Sequence, residues 1–318
     1  MKKLDRLFKE FPELKIMENW IRSELNSKSK HPIKWIYKRY TLRKPKRFEE
    51  AKILLNSEDI WKQLWADMYL DMYYSGSAHL EYINKCFKEL KEKNGFGNLL
   101  KNLKNSKQFF HTLSELEING YFANRYVLKL EPKIKSGIIF KRLDSGIILD
   151  KREVLFEITT PETYELLKNS KKAITIPNRS KAKILDKLQR QIIPVKESIN
   201  TPLILVINTS YSEIDEYDIE NSVEGELRLN FFRENTSGRV VHEYWDRDNN
   251  SISDKEPLSG YISAIVFYKR QIKYNGIFYS IGIIQNPNSK YPLNAKEYKK
   301  IKRLNFRNIA SELNEFSN

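Results

Sequence analysis

Apolar residues recur at helical spacing through the first third of the chain and give way to short strand-like runs beyond it. Leu4, Leu7, Phe8 and Phe11 share one helical face, which Pro12 ends or restarts. Phe48, Ala51, Ile53, Leu54 and Leu55 predict a second helix after Pro45. Ser57 to Ile60 reads as a cap ahead of Trp61, Leu64, Trp65, Met68 and Tyr69. The Tyr-Tyr-Ser-Gly-Ser run from Tyr73 to Ser77 is read as a turn. Leu80, Ile83, Cys86, Phe87 and Leu90 then form another stripe, broken by Asn94 to Gly97. This spacing assigns the aromatics of residues 1–105 to a core.

From about residue 107 the texture changes. A helix over 107–124 leads into a strand at 126–130 that Pro132 ends. Residues 143–149 and 153–159 are strand formers around a polar turn at 150–152, which predicts a β-hairpin. A helix rich in Lys and Arg is expected over 180–192, and 202–208 has the unbroken apolar run of a sheet interior. Residues 212–218 are acidic and read as a loop. Further strands are expected at 226–232, 261–268 and 277–284, and a basic helix at 295–317. The fold class is therefore α/β (α+β). A helical, basic N-terminal region, 1–105, precedes an α/β domain, 106–318, with a mixed central sheet flanked by helices.

The hairpin carries the candidate chemistry. A turn centred between Asp150 and Lys151 pairs Asp144 with Glu157. Opposed residues have Cβ atoms about 4.5–5.5 Å apart on one face. Two carboxylates that close repel each other unless a cation lies between them, and oxygen ligands suit a divalent ion such as Mg²⁺. Glu157 lies within Val-Leu-Phe-Glu-Ile, where an unpaired buried charge is costly.

Asp144 on one strand followed by Glu157-Ile158-Thr159 on the next resembles the core of the PD-(D/E)xK nuclease-like superfamily. The helix with Ser114-Glu-Leu-Glu117, the basic helix ending in Lys187-Leu-Gln-Arg-Gln191 and the strand at 202–208 fit the same order. The resemblance covers roughly 109–210. It implies a restriction-endonuclease-like domain and a nuclease hydrolysing phosphodiester bonds in DNA, or less readily RNA, with Mg²⁺ or Mn²⁺. The implied catalytic set is Glu115, Asp144, Glu157, Thr159 and Gln191, and the metal ligands are Asp144, Glu157 and the Ile158 carbonyl. Pattern register favours Glu115 for the helix carboxylate, whereas helical geometry favours Glu117, and Gln189 rivals Gln191. Thr159 stands where the superfamily keeps a lysine, so Lys141, Lys183 or Lys187 would have to supply that charge.

Composition narrows the remaining choices. The net charge of +15 on 318 residues favours a polyanionic partner. Between Lys28 and Arg47 there is no acidic residue, and Lys34, Trp35, Lys38, Arg39, Arg43, Lys44, Lys46 and Arg47 form a candidate nucleic-acid surface. Its cations would neutralise phosphates while its aromatics stack on bases. One cysteine excludes a disulfide framework and a cysteine-based zinc site, and points to a reducing cytoplasm. The four histidines show no His-x-x-x-His pair. The charged first residues lack the apolar centre of a signal peptide, and no apolar run is long enough to span a membrane. Nucleic acid, DNA ahead of RNA, is the expected partner, with no membrane and with a homodimer in view. Two other readings stay open: a nuclease fold that binds nucleic acid without cutting it, and a basic scaffold or assembly protein.

Overall fold

The structure is a computed structural model describing residues 2–41, 48–160, 190, 192–210, 219, 227–233, 240–247, 258–273 and 276–302. Helices α1 (Lys2–Glu10), α2 (Glu18–Asn26), α3 (Pro32–Tyr40), α4 (Phe48–Leu54), α5 (Ile60–Leu90) and α6 (Phe96–Leu103) precede a central helix, α7 (Phe109–Ala123). Strands β1 (Leu128–Leu130), β2 (Lys133–Ser136), β3 (Ile139–Arg142), β4 (Ser145–Leu149) and β5 (Arg152–Thr159) follow. Beyond them lie β6 (Leu203–Asn208), β7 (Leu227–Arg233), β8 (Val240–Arg247), the short helix α8 (Leu258–Tyr261), β9 (Ile262–Lys273), β10 (Gly276–Gln285) and α9 (Ala295–Lys302).

The main sheet has the strand order β1-β4-β5-β6-β9-β10. β5, β6 and β9 run parallel at its centre, and the outer pairs are antiparallel. Every residue of Leu203–Asn208 is buried, as expected of a strand covered on both faces. On one face Phe156, Ile158, Ile204, Val206 and Tyr268 join the core of the N-terminal helices. On the other, Leu155, Leu205, Ile207 and Phe267 pack with Val195 and Ile199. The first core runs without a break from Leu7 to Ile301, across the composition change near residue 105.

The expected turn at Tyr73–Ser77 is instead interior to α5, which is one continuous helix. Gly76 explains it. A Cβ there would stand 2.2 Å from the Tyr40 amide nitrogen, so this glycine lets α3 and α5 approach closely rather than ending a helix. The hairpin of β4 and β5 has the expected register, from Ser145 opposite Phe156 to Leu149 opposite Arg152. Its turn places Asp150 (φ 46°) and Lys151 (φ 70°) in the left-handed region, as a two-residue type I′ connection requires. The ribbon of β2 and β3, and strand β8, were not expected. The basic helix at 180–192 lies almost wholly outside the described residues, as do the acidic run at 212–218 and the chain after Lys302. No helix among the described residues is long and apolar enough to cross a membrane.

His31 caps α3 by accepting from the Ile33 amide through Nδ1, 3.1 Å away, and must be neutral to do so. Burial holds its pKa below the ordinary value. The unfolded chain therefore binds the proton more readily, and this contribution to stability falls as pH drops through about 6.5. Urea denaturation between pH 7.5 and 5 should show that decline, and His31→Asn, which keeps a capping acceptor, should flatten it.

Candidate metal centre

α7 is buried along nearly its whole length, between α5 and α6 on one side and the sheet on the other. Gly120 permits this by sitting against Cys86, where a Cβ would meet Sγ at 3.1 Å. The sequence nevertheless gives this helix Thr112, Ser114, Glu115, Glu117 and Asn119, all buried. Polar groups in such a place are costly unless they are engaged.

Ser114 is engaged on three sides. Its hydroxyl donates to the Phe110 carbonyl (2.9 Å) and accepts from Thr160 Oγ1 (2.9 Å) and Asn208 Nδ2 (2.6 Å). Thr160 and Asn208 stand at the C-terminal ends of the parallel strands β5 and β6. This fixes the rotation of α7 against the sheet at the point where Glu115 emerges.

Asp144 reaches the same place by a break in the β4–β5 ladder. The pairing stops at Ser145 and Phe156, one pair short of Asp144 and Glu157. Leu143 turns into the second core, and the Ile158 amide donates to Asp144 Oδ2 at 2.6 Å. The carboxylate thereby takes the place of a ladder acceptor. His111 Nε2 lies 3.0 Å from Glu115 Oε1, one helical turn away. One ligand atom from each of His111, Glu115 and Asp144 lies within 4.8 Å of the others, with Glu115 buried and its companions half-buried. At such a separation and an effective dielectric of about 20, two carboxylates repel by roughly 3 kcal/mol or more. A cation would remove that penalty. Two carboxylates and an imidazole can hold a metal ion.

Of the two helix carboxylates weighed from sequence, Glu115 belongs to this group. Glu117 faces elsewhere: its oxygens meet Arg270 Nη1 at 3.0 Å and the Tyr268 hydroxyl at 2.9 Å, all buried. No His–His spacing marks His111, and its one sequence signal is Glu115 one helical turn away. Glu157 is almost fully buried, and by strand alternation it shares the face of Leu155 and Thr159, away from α7. Among the described residues, the metal-ligating group does not include it. Ile158 meets Asp144 through its amide rather than its carbonyl. Gln191, Gln189, Lys183 and Lys187 lie outside the described residues, and Lys141 sits on β3 opposite Ile134.

In the basic segment, Ile33 and Ile36 seat α3 on the core, and Tyr37 and Tyr40 pack against it. The Tyr40 hydroxyl donates to Glu10 at 2.8 Å. Trp35 is 41% exposed, with the Arg39 guanidinium 3.9 Å from its ring centre. Lys34 donates to the Ser27 carbonyl, and Lys38 lies in the last turn of α3. Arg43, Lys44, Lys46 and Arg47 fall outside the described residues. No protein-family model, curated protein or solved structure matches this chain.

Proposed function

We propose that the chain is a divalent-metal-dependent phosphodiesterase acting on nucleic acid, DNA ahead of RNA, built on a PD-(D/E)xK-like core. The observation that carries this reading is the convergence of His111, Glu115 and Asp144 at one end of a mixed sheet. The order α7, β1, β4, β5 and β6 supports it, as does the net charge of +15. His111, Glu115 and Asp144 would hold the ion. A bound divalent metal would supply a water of lowered pKa and stabilise charge developing on the phosphate. The imidazole in the donor set favours Mn²⁺ over Mg²⁺, because Mg²⁺ prefers oxygen alone. The protein's part is preorganisation: the Ile158 amide fixes Asp144, and the Ser114 bonds fix the helix that carries His111 and Glu115.

The test is cleavage of linear duplex DNA by purified protein with Mn²⁺, with Mg²⁺ and in EDTA. Cutting should require metal and be faster with Mn²⁺, and cutting that persists in EDTA would overturn the reading. Thr159 favours one second reading, a binding protein on the same fold, since no cation stands at that position. Retained DNA binding without cutting in any metal would select it.

A further inference from the structure

The β2–β3 ribbon is placed and composed in a way the metal centre alone does not explain. Its base is pinned beside Asp144: the Leu143 amide donates to the Pro132 carbonyl (3.0 Å), and the Glu131 amide donates to the Asp144 carbonyl (3.3 Å). Ile134 anchors one side of the ribbon in the second core. The turn beyond Ser136 is a tight one, with Gly137 (φ 59°) in the first central position, the place a type II′ hairpin keeps for glycine. At this tip Ile138 is 95%, Ile139 42% and Phe140 60% exposed.

Three adjacent large apolar residues in water are unusual for a hairpin end and mark a contact surface. The charge around them says what kind. From Lys133 to Arg142 there are four cations and no acid. Register puts Lys133 with Arg142, and Lys135 with Phe140, on the outward face. Lys135 Nζ lies 5.2 Å from the Phe140 ring centre, and Arg142 Nη1 meets Glu131 at 3.2 Å. A cleft of about 310 Å³ beside the ribbon is lined by Lys129, Lys133 and Lys135 together with Glu153 and the uncharged Ser198 and Thr201. There Lys129 turns to Glu153 at 2.7 Å, whereas Lys133 and Lys135 are exposed.

We propose that this ribbon is a duplex-DNA reader, which enters the major groove tip-first while Lys133 and Lys135 contact the flanking phosphates. The proposal rests on nucleic acid being the partner of the metal centre and adds how the duplex is held. The dimensions fit. Beyond the Ile134 anchor, two residues per strand project about 7 Å at 3.3 Å each. The B-form major groove is about 12 Å wide and 8.5 Å deep and admits a two-stranded ribbon. Ile138 and Phe140 would then meet base edges and thymine methyl groups.

The experiment is fluorescence anisotropy of the full-length protein with a 30-base-pair DNA duplex in EDTA across a salt series. Melting temperature and Mn²⁺-dependent cleavage are measured in parallel. Lys133→Gln with Lys135→Gln should lower the slope of log affinity against log salt by about 1.8, at about 0.9 per phosphate. Ile138→Ser with Phe140→Ser should weaken binding about tenfold with the slope unchanged, consistent with loss of apolar base contact. Duplex RNA should bind more weakly, since its major groove is too narrow for the ribbon. Wild-type affinity and slope in both variants would overturn the ribbon assignment while leaving the phosphodiesterase reading intact. Absence of any DNA binding or cleavage by wild type would instead remove both. Equal binding of duplex RNA would overturn the groove assignment. So would a tip variant with unchanged DNA affinity that either lost binding to phosphatidylserine vesicles or melted about 5 °C lower. The first result would assign the tip to a membrane surface and the second to the chain's own fold.

Discussion

Glu115→Gln and Asp144→Asn should each reduce metal-dependent cleavage by about a thousandfold or more while leaving DNA affinity near that of wild type. The magnitude follows from losing charge stabilisation worth several kcal/mol, at 1.36 kcal/mol per tenfold. Affinity should survive because it derives mainly from basic residues elsewhere. Both substitutions are chosen to keep the fold. Asparagine at 144 still presents an oxygen to the Ile158 amide, which donates there at 2.6 Å. Glutamine at 115 still offers a partner to His111, now 3.0 Å away. Calorimetric titration with Mn²⁺ gives a second readout, and both variants should bind the ion much more weakly. Normal Mn²⁺ binding by both would remove these side chains from the metal set. Cleavage at wild-type rate would remove them from the reaction.

Arg270→Met should destabilise the protein by about 3–5 kcal/mol, the usual result of stranding one member of a buried ion pair. Glu117 and Arg270 are buried and 3.0 Å apart, and Tyr268 also donates to Glu117. Together they fasten α7 to β9. Removing both charges, as in Glu117→Leu with Arg270→Met, should recover most of the loss, since no buried charge is then left uncompensated. The Tyr268 hydroxyl would still lose its acceptor, so recovery should fall short by about 1–3 kcal/mol. Urea denaturation of the two single variants and the double variant measures the coupling directly. A neutral Arg270→Met would mean that solvent reaches the pair.

Local pattern was enough for the elements whose signal is local. The two runs of strand formers at 143–149 and 153–159 and the polar turn between them marked both the hairpin and its register, because a turn centred between Asp150 and Lys151 sets every opposed pair. The apolar run of 202–208 marked a central strand, found over Leu203–Asn208. The pattern over 107–124 marked α7 as a helix, but left Glu115 and Glu117 open to a reading as solvated acids, and only the structure buries them. The turn expected at Tyr73–Ser77 failed because Gly76 answers to the Tyr40 backbone across a helix contact, and nothing in its own neighbourhood records that.

The candidate metal centre lay further from reach. Sequence alone set Asp144 against Glu157, since a continued ladder makes them partners. Tertiary structure ended that ladder at Ser145, turned Leu143 into the second core and brought Asp144 to the Ile158 amide and to α7. It also separated Glu115 from Glu117: two residues apart on a helix point about 200° apart, so only one can face the strand ends. Sequence thus named the candidate acids, Glu115, Glu117, Asp144 and Glu157, because each lies in an element with a local signal. Which of them converge was decided by the packing of α7 against β5, β6 and β9, because distances between elements depend on side chains far apart in the chain.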